Sequence, residues 1–205
     1  LQKVVEAILM GGGSMAEEAE LVAWHLVRAN LTGHDSHGVG MVPAYVFIQH
    51  MDLLKPNTAV KLVKDDGAIL RFDGGRGYGQ IVARQAMDQT IARAKETGVA
   101  LMSLANAHHI GRVGTYGEQA LKAGMVSIHF ANVVDHSPLV APFRGSDSRF
   151  GTNPICIAAP GGDKTDDILL DMATSKVSLG KVRVAMNKGE EVEPDTLLDK
   201  TGAPT

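Results

Sequence analysis

Apolar positions recur at helical spacing near the start of the chain. In SMAEEAELVAWHLVRANLTG, residues 14–33, the side chains of Ala19, Val22, Ala23, Leu26 and Val27 share one face, which is expected in the core. Ser14 and Glu17 have the S-x-x-E spacing of a capping box, and Gly33 stands where such a helix stops. The opening LQKVVEAILMGGG also reads as a helix. It contains Glu6 and lacks the basic start of a secretory leader. Pro43 suits the first turn of a further helix, PAYVFIQHMDLL.

From about residue 60 the pattern changes. AILRFDG reads as a strand, QIVARQAMDQTIARAKETG as a helix ended by Gly98, and VALMSLAN as a strand. GTYGEQALKAG is a short helix ended by Gly124. MVSIHFAN, NPICIAAP and DILLDMA are further strands. The alternation predicts an α/β fold, a sheet flanked by helices, over residues 59–205, preceded by a helical segment over 1–58. No repeat or low-complexity tract interrupts it. The chain starts without Met and stops at TGAPT in mid-loop, as expected of a fragment.

Composition narrows the function classes. The chain has 205 residues, 44% hydrophobic and 21% charged, enough to bury a sizeable core. A net charge of −3 without a basic block, and only 4% aromatic residues, argue against a nucleic-acid partner. No apolar run is long enough to span a membrane. Cys156 is the only cysteine, so disulfides and thiolate zinc sites within the chain are excluded, and a cytoplasmic location is expected.

FDGGRGYGQIVARQAM places a glycine-rich turn between a strand and a helix, the context of a dinucleotide fingerprint. The spacing fails, because Gly75 and Gly77 require a third glycine at 80, where Gln80 stands. These glycines are read as serving a tight turn, and a Rossmann domain does not follow from them.

TGHDSHGVG, residues 32–40, concentrates reactive side chains, and three chemistries compete for it. A metal site needs His34 and His37 joined by His108 and His109, but no H-E-x-x-H spacing occurs. A serine hydrolase needs Ser36, His37 and Asp35 to converge, which consecutive side chains do not, and no G-x-S-x-G elbow is present. Acid/base catalysis asks only for one oriented histidine near a reacting carbonyl, and His37 beside Ser36 and Gly38 suits it. Spacing alone leaves this open against a capping serine with an incidental histidine. His25 and His50 are expected at surface or helix-end positions. His129 and His136, the latter after Asp135, carry no separate signal.

Four segments taken together add a resemblance. GHDSHGVGMVPAY, NAHHIGRVGTYGEQA, RFGTNPICIAAP and LLDMATSKVSLGKVRVA resemble, in order, the signature blocks of the malate/L-lactate dehydrogenase family, NAD(P)-dependent 2-hydroxyacid dehydrogenases unrelated to the Rossmann-type enzymes. The resemblance runs through essentially the whole chain. It implies a mixed, non-Rossmann α/β fold, a homodimer, NAD or NADP as cofactor, a small 2-hydroxy or 2-oxo acid as substrate, and a C-terminal part missing from this chain. His37 would be the proton donor, oriented by Ser36. His109 would share acid/base work or line the nicotinamide site. Gly111, Arg112 and Val113, with Asp171, Met172, Ala173 and Thr174, would hold the cofactor, and Thr152 and Asn153 would border the substrate.

Two departures from the family pattern bear on substrate. Met41 stands where many members have an arginine that pairs with the substrate carboxylate, a role methionine cannot take. Arg112, or else Arg149, is expected to replace it, and Met41 points to a bulkier, more apolar 2-oxoacid. Lys181 stands near an acid of the imine-reducing branch, which disfavours cyclic imines. Two rivals remain: a metal-dependent hydrolase built on the histidines, and a non-catalytic ligand-binding fragment.

Overall fold

The computed structural model describes residues 1–134 and 137–205, so Asp135 and His136 lie outside the described residues. Three helices open the chain: α1 (Gln2–Gly11), α2 (Ala16–Leu31) and α3 (Val42–His50), with two short 3-10 turns, Asp35–His37 and Val39–Met41, between the last two. β1 (Lys61–Asp66) and β2 (Ile69–Asp73) lead to the long α4 (Gly79–Thr97), then β3 (Leu101–Ala105), α5 (Gly114–Lys122) and β4 (Ser127–Phe130). β5 (Ile155–Ala159), β6 (Ile168–Met172) and α6 (Leu179–Lys188) complete the described elements.

The α/β class holds, but the expected sheet is divided into two three-stranded sheets. In the first, β1 and β2 are antiparallel, while β2 and β3 run parallel because α4 carries the chain back between them. In the second, β4, β5 and β6 follow one another antiparallel, with no helix between them among the described residues. Each sheet has one face closed by a helix. Leu70 and Phe72 of β2 pack on Ala86 of α4. Cys156 of β5 packs with Tyr116 and Ala120 of α5 and with Ala83 and Met87 of α4. Helix α4 therefore touches both layers. Its first turn also reaches the helical segment, where Tyr78 and Ile81 join Val5, Leu9, Val22, Leu26 and Tyr45 in one core.

The predicted stripe of α2 is buried at Ala19, Val22, Ala23 and Leu26, with Val27 half-buried. The predicted capping box does not form. Met15 is the N-cap and no side chain caps the helix. A loop does the work from a distance: Asn57 Oδ1 accepts from Met15 N at 2.7 Å, and Asn57 N donates to Glu18 Oε2 at 2.7 Å. His25 is not at the surface as expected. It is 4% exposed, because it follows Val22 by three positions and precedes Ala29 by four, on the buried face.

Candidate active site

Four separate elements meet at one buried chain of polar atoms. His37 ends the first 3-10 turn, Tyr45 lies on α3, Gln80 in the first turn of α4, and His109 in the segment between β3 and α5. His37 Nδ1 is 3.0 Å from His109 Nε2, with the two rings nearly parallel. On its other side His109 Nδ1 is 2.6 Å from Tyr45 Oη, which accepts from Gln80 Nε2 at 2.7 Å.

Local structure explains how each member is held. Asn30, at the end of α2, fixes the turn that presents His37: Asn30 Oδ1 accepts from Val39 N at 2.9 Å and Nδ2 donates to Asp35 Oδ1 at 2.6 Å. Gly38 lies so close to the Asn30 amide that a Cβ there would overlap it. The glycine-rich turn holds the other histidine. Gly74 N donates to Ala105 O at 2.8 Å, Arg76 N to Asn106 O at 2.7 Å, and His108 N to Gly77 O at 3.2 Å. A Cβ on Gly79 would collide with the carbonyl oxygens of His108 and His109. The glycines thus do more than turn the chain: they seat the start of α4 against the backbone that carries His109.

Burial disfavours the charged form of both imidazoles. The pKa of His109 is pushed down to about 3, chiefly by burial and then by His37 and His108 beside it. That of His37 is lowered by burial and by His34, against an opposing pull from Asp171. Burial also raises that of Tyr45, so its hydroxyl keeps its proton.

Ser36 does not orient His37. The His37 nitrogen with a protein partner is bonded to His109, whereas Ser36 is packed tightly against Gly180 in the first turn of α6. Arg112 is also turned away from its expected role as carboxylate anchor. Its side chain is 6% exposed, and Nη1 donates to Glu118 at 2.7 Å, with Asp171 4.0 Å from Nε. With Nη1 given to Glu118 and the side chain buried, Arg112 turns no exposed fork toward a substrate, although its Nε has no hydrogen-bond partner among the described residues. Arg149 is exposed and, among the described residues, paired only with Asp147, on its own loop, at 2.9 Å.

Asp171 is a structural hub. Its Oδ2 accepts from Gly114 N at 2.6 Å, capping the start of α5, and lies 3.8 Å from His34 Nε2. Val113 is buried in the core, whereas Met172 and Thr174 are exposed and Ala173 is half-buried. Thr174 Oγ1 donates to Thr152 O at 2.9 Å and Asn153 O at 3.0 Å, so these three predicted residues do come together. Met41 is half-buried against the helical core, and Gly111, at φ +74°, lies over the Gln80 amide. Among the described residues no three His, Cys, Asp or Glu side chains converge in a metal-holding arrangement. A cavity of about 530 Å³ is lined by Trp24, His25, Arg84 and Glu118, and its lining includes neither His37 nor His109.

Sequence reasoning missed Tyr45 and Gln80. The signal for Gln80 was its position, a polar residue where the fingerprint required glycine, at the start of an otherwise apolar helix face.

All of residues 1–205 match the model of the malate/L-lactate dehydrogenase family. The chain belongs to that family. It is 49% identical over its whole length to hydroxycarboxylate dehydrogenase B of Escherichia coli K12, of which it covers 56%. It is 37% identical over 190 residues to L-lactate dehydrogenase of Cupriavidus necator, covering 93% of this chain and 54% of the relative. The solved structure of sulfolactate dehydrogenase from Methanocaldococcus jannaschii superposes on all of it with a TM-score of 0.88 at 36% identity, and the chain covers 58% of that protein. The chain thus spans somewhat over half the length of the relatives it matches. Among the described residues no helix is long and apolar enough to cross a membrane.

Proposed function

We propose that this chain carries the acid/base centre of a dehydrogenase that uses NAD or NADP to interconvert 2-hydroxy and 2-oxo carboxylates. One observation carries the reading: His37 has one ring nitrogen tied to a buried histidine and the other left for a ligand. Malate, lactate and bulkier 2-oxoacids are the substrate range, the last favoured by Met41.

The nicotinamide, when bound, supplies or accepts the hydride at C2 of the substrate. A local feature fits such a group: His108 Nδ1, next to His109, is buried without a partner among the described residues, as expected of an atom satisfied by a polar ligand. Gly111 and the exposed edge formed by Met172, Ala173 and Thr174 are the residues proposed to hold it. Asp171 and Val113 support that edge from beneath.

His37 gives a proton to the C2 oxygen during reduction and takes it back during oxidation. The lowered pKa of His37 is counteracted when an anionic substrate arrives, because a nearby carboxylate favours the imidazolium. His109 fixes the ring of His37. Thr152 and Asn153 border the substrate, and with Arg112 engaged, Arg149 is the proposed carboxylate anchor. Residues 59–205 form the cofactor-binding part, 1–58 supply His37 on a helical frame, and the whole protein acts as a cytoplasmic homodimer.

The test follows NADH and NADPH oxidation by the full-length protein against pyruvate, oxaloacetate and aryl pyruvates. At least one pair is expected to turn over, and His37→Gln to lose roughly 10²- to 10⁴-fold in kcat. Unchanged turnover in that variant removes His37 from the role. Failure to bind either nucleotide removes the reading itself.

A further inference from the structure

The buried chain behind His37 has a direction, and that direction has a chemical consequence. Tyr45 is fully buried and its hydroxyl accepts from Gln80 Nε2, so the acceptor available to its own proton is His109 Nδ1. His109, accepting at Nδ1, carries its proton on Nε2 and donates it to His37 Nδ1. Neutral His37 then bears its single proton on Nε2, the nitrogen facing the ligand. In this polarity His37 donates a hydrogen bond to a 2-oxo group but has no lone pair with which to accept a proton.

Acid/base work needs the opposite polarity. An imidazolium that has given up its Nε2 proton keeps the one on Nδ1, which must be donated to His109 Nε2. His109 then carries its proton on Nδ1 and donates to Tyr45 Oη, and the Tyr45 proton needs a new acceptor. Gln80 Oε1 is that acceptor: it is buried and has no partner among the described residues. A half-turn of the Gln80 amide places it where Nε2 now stands. Gly111 lies over this amide, its missing Cβ position 3.4 Å from Nε2, so residue 111 presents no side chain against the turn.

We propose that Gln80, acting through Tyr45 and His109, is a polarity switch whose amide orientation sets whether His37 can accept a proton at Nε2. Gln80, Tyr45 and His109 are positioning residues here, since each acts through His37. The proposal rests on His37 being the acid/base residue. Inversion leaves the number of protons and the net charge unchanged: Tyr45 keeps its proton and turns it toward Gln80 Oε1, while His109 and His37 each give up an Nε2 proton to water and take one from water at Nδ1. Uptake of a further proton at His37 Nε2 follows it. The other ionisable groups facing the pair are His34 and Asp171 beside His37, His108 beside His109, and Tyr78 beside Tyr45.

Two substitutions in the full-length protein pull in opposite directions. Gln80→Met keeps length and volume but removes the amide acceptor, holding the chain in the present polarity. The apparent pKa for kcat/KM in 2-hydroxyacid oxidation should fall by about one unit, with kcat lower by roughly tenfold and KM little changed. Gln80→Glu supplies an acceptor in either orientation, and the same pKa should rise. Histidine ¹⁵N shifts, read without substrate, should show His109 as the Nε2–H tautomer in wild type and Gln80→Met, and as Nδ1–H in Gln80→Glu. Unchanged tautomers and pH profiles in both variants overturn the proposal. Full activity in His37→Gln overturns instead the acid/base reading beneath it, and the tautomer measurement stays interpretable in that case.

Discussion

His37 Nδ1 and His109 Nε2 are hydrogen-bonded at 3.0 Å although 72 positions separate the residues in the chain. The contact joins the helical segment to the segment after β3, so it is both a site and a seam. Residues that act as one unit respond non-additively to removal. His109→Gln should cost at least tenfold in kcat, and the His37→Gln/His109→Gln double variant little more than His37→Gln alone. Steady-state kinetics of the four proteins measure this. Full additivity would show that His109 acts independently of His37.

Arg112 and Glu118 form a largely buried pair at 2.7 Å, with Arg28 3.6 Å from the same carboxylate. Removing one partner of such a pair leaves an uncompensated charge. Arg112→Met should therefore destabilise the protein by about 2–3 kcal/mol in denaturant titration, allowing for the partial exposure of Glu118. Its KM for 2-oxoacids should stay within a factor of about two, whereas Arg149→Met should raise KM about tenfold or more. The reverse pattern would return the anchor to Arg112.

Most of the fold was legible because core-facing periodicity is a strong signal, and α1 to α5 and β2 to β6 lie where the pattern puts them. β1 escaped because KLVKDD is exposed along its whole length and has no inward alternation. α6 escaped for the same reason: none of its residues is buried, although Ser178 accepts from Lys181 N and Gly189 ends it in the left-handed region. At the site, His37 and His109 were visible in their motifs, while the bond between them was not, since motifs carry no long-range distance. Tyr45 looked like one more core position on α3, and Gln80 registered only as a failed glycine. Neighbouring residues suggested Ser36 and Arg112 as partners, and the fold committed both elsewhere.

His25 makes acid stability a test of the fold. Burial lowers its pKa to about 4, Arg84 adds to the shift and Glu118 opposes it, against 6.5 for the free side chain. Between those values the unfolded chain binds a proton that the folded one refuses. The stability present above pH 6.5 is therefore lost as pH falls toward 4, by about 3 kcal/mol. His25→Phe should lose markedly less stability across that window. Equal slopes of unfolding free energy against pH in the two proteins would place the acid sensitivity elsewhere.

The second sheet has one closed face and one open one. Opposite the face covered by α5, Ile128 pairs across to Ile157 and on to Leu170, and Phe130 to Ile155 and on to Met172. Phe130 is 79% exposed and Ile128 58%. Two apolar rows side by side form the kind of contiguous patch that isolated soluble proteins rarely carry. Residues 1–205 expressed alone should therefore bind a hydrophobic dye strongly and self-associate with rising concentration, and Ile128→Lys with Leu170→Glu should suppress both. Charges at these positions lie on the open face and touch neither His37 nor His109, so suppression without loss of secondary structure would assign the association to this face. Unchanged self-association in that variant would assign it to another surface.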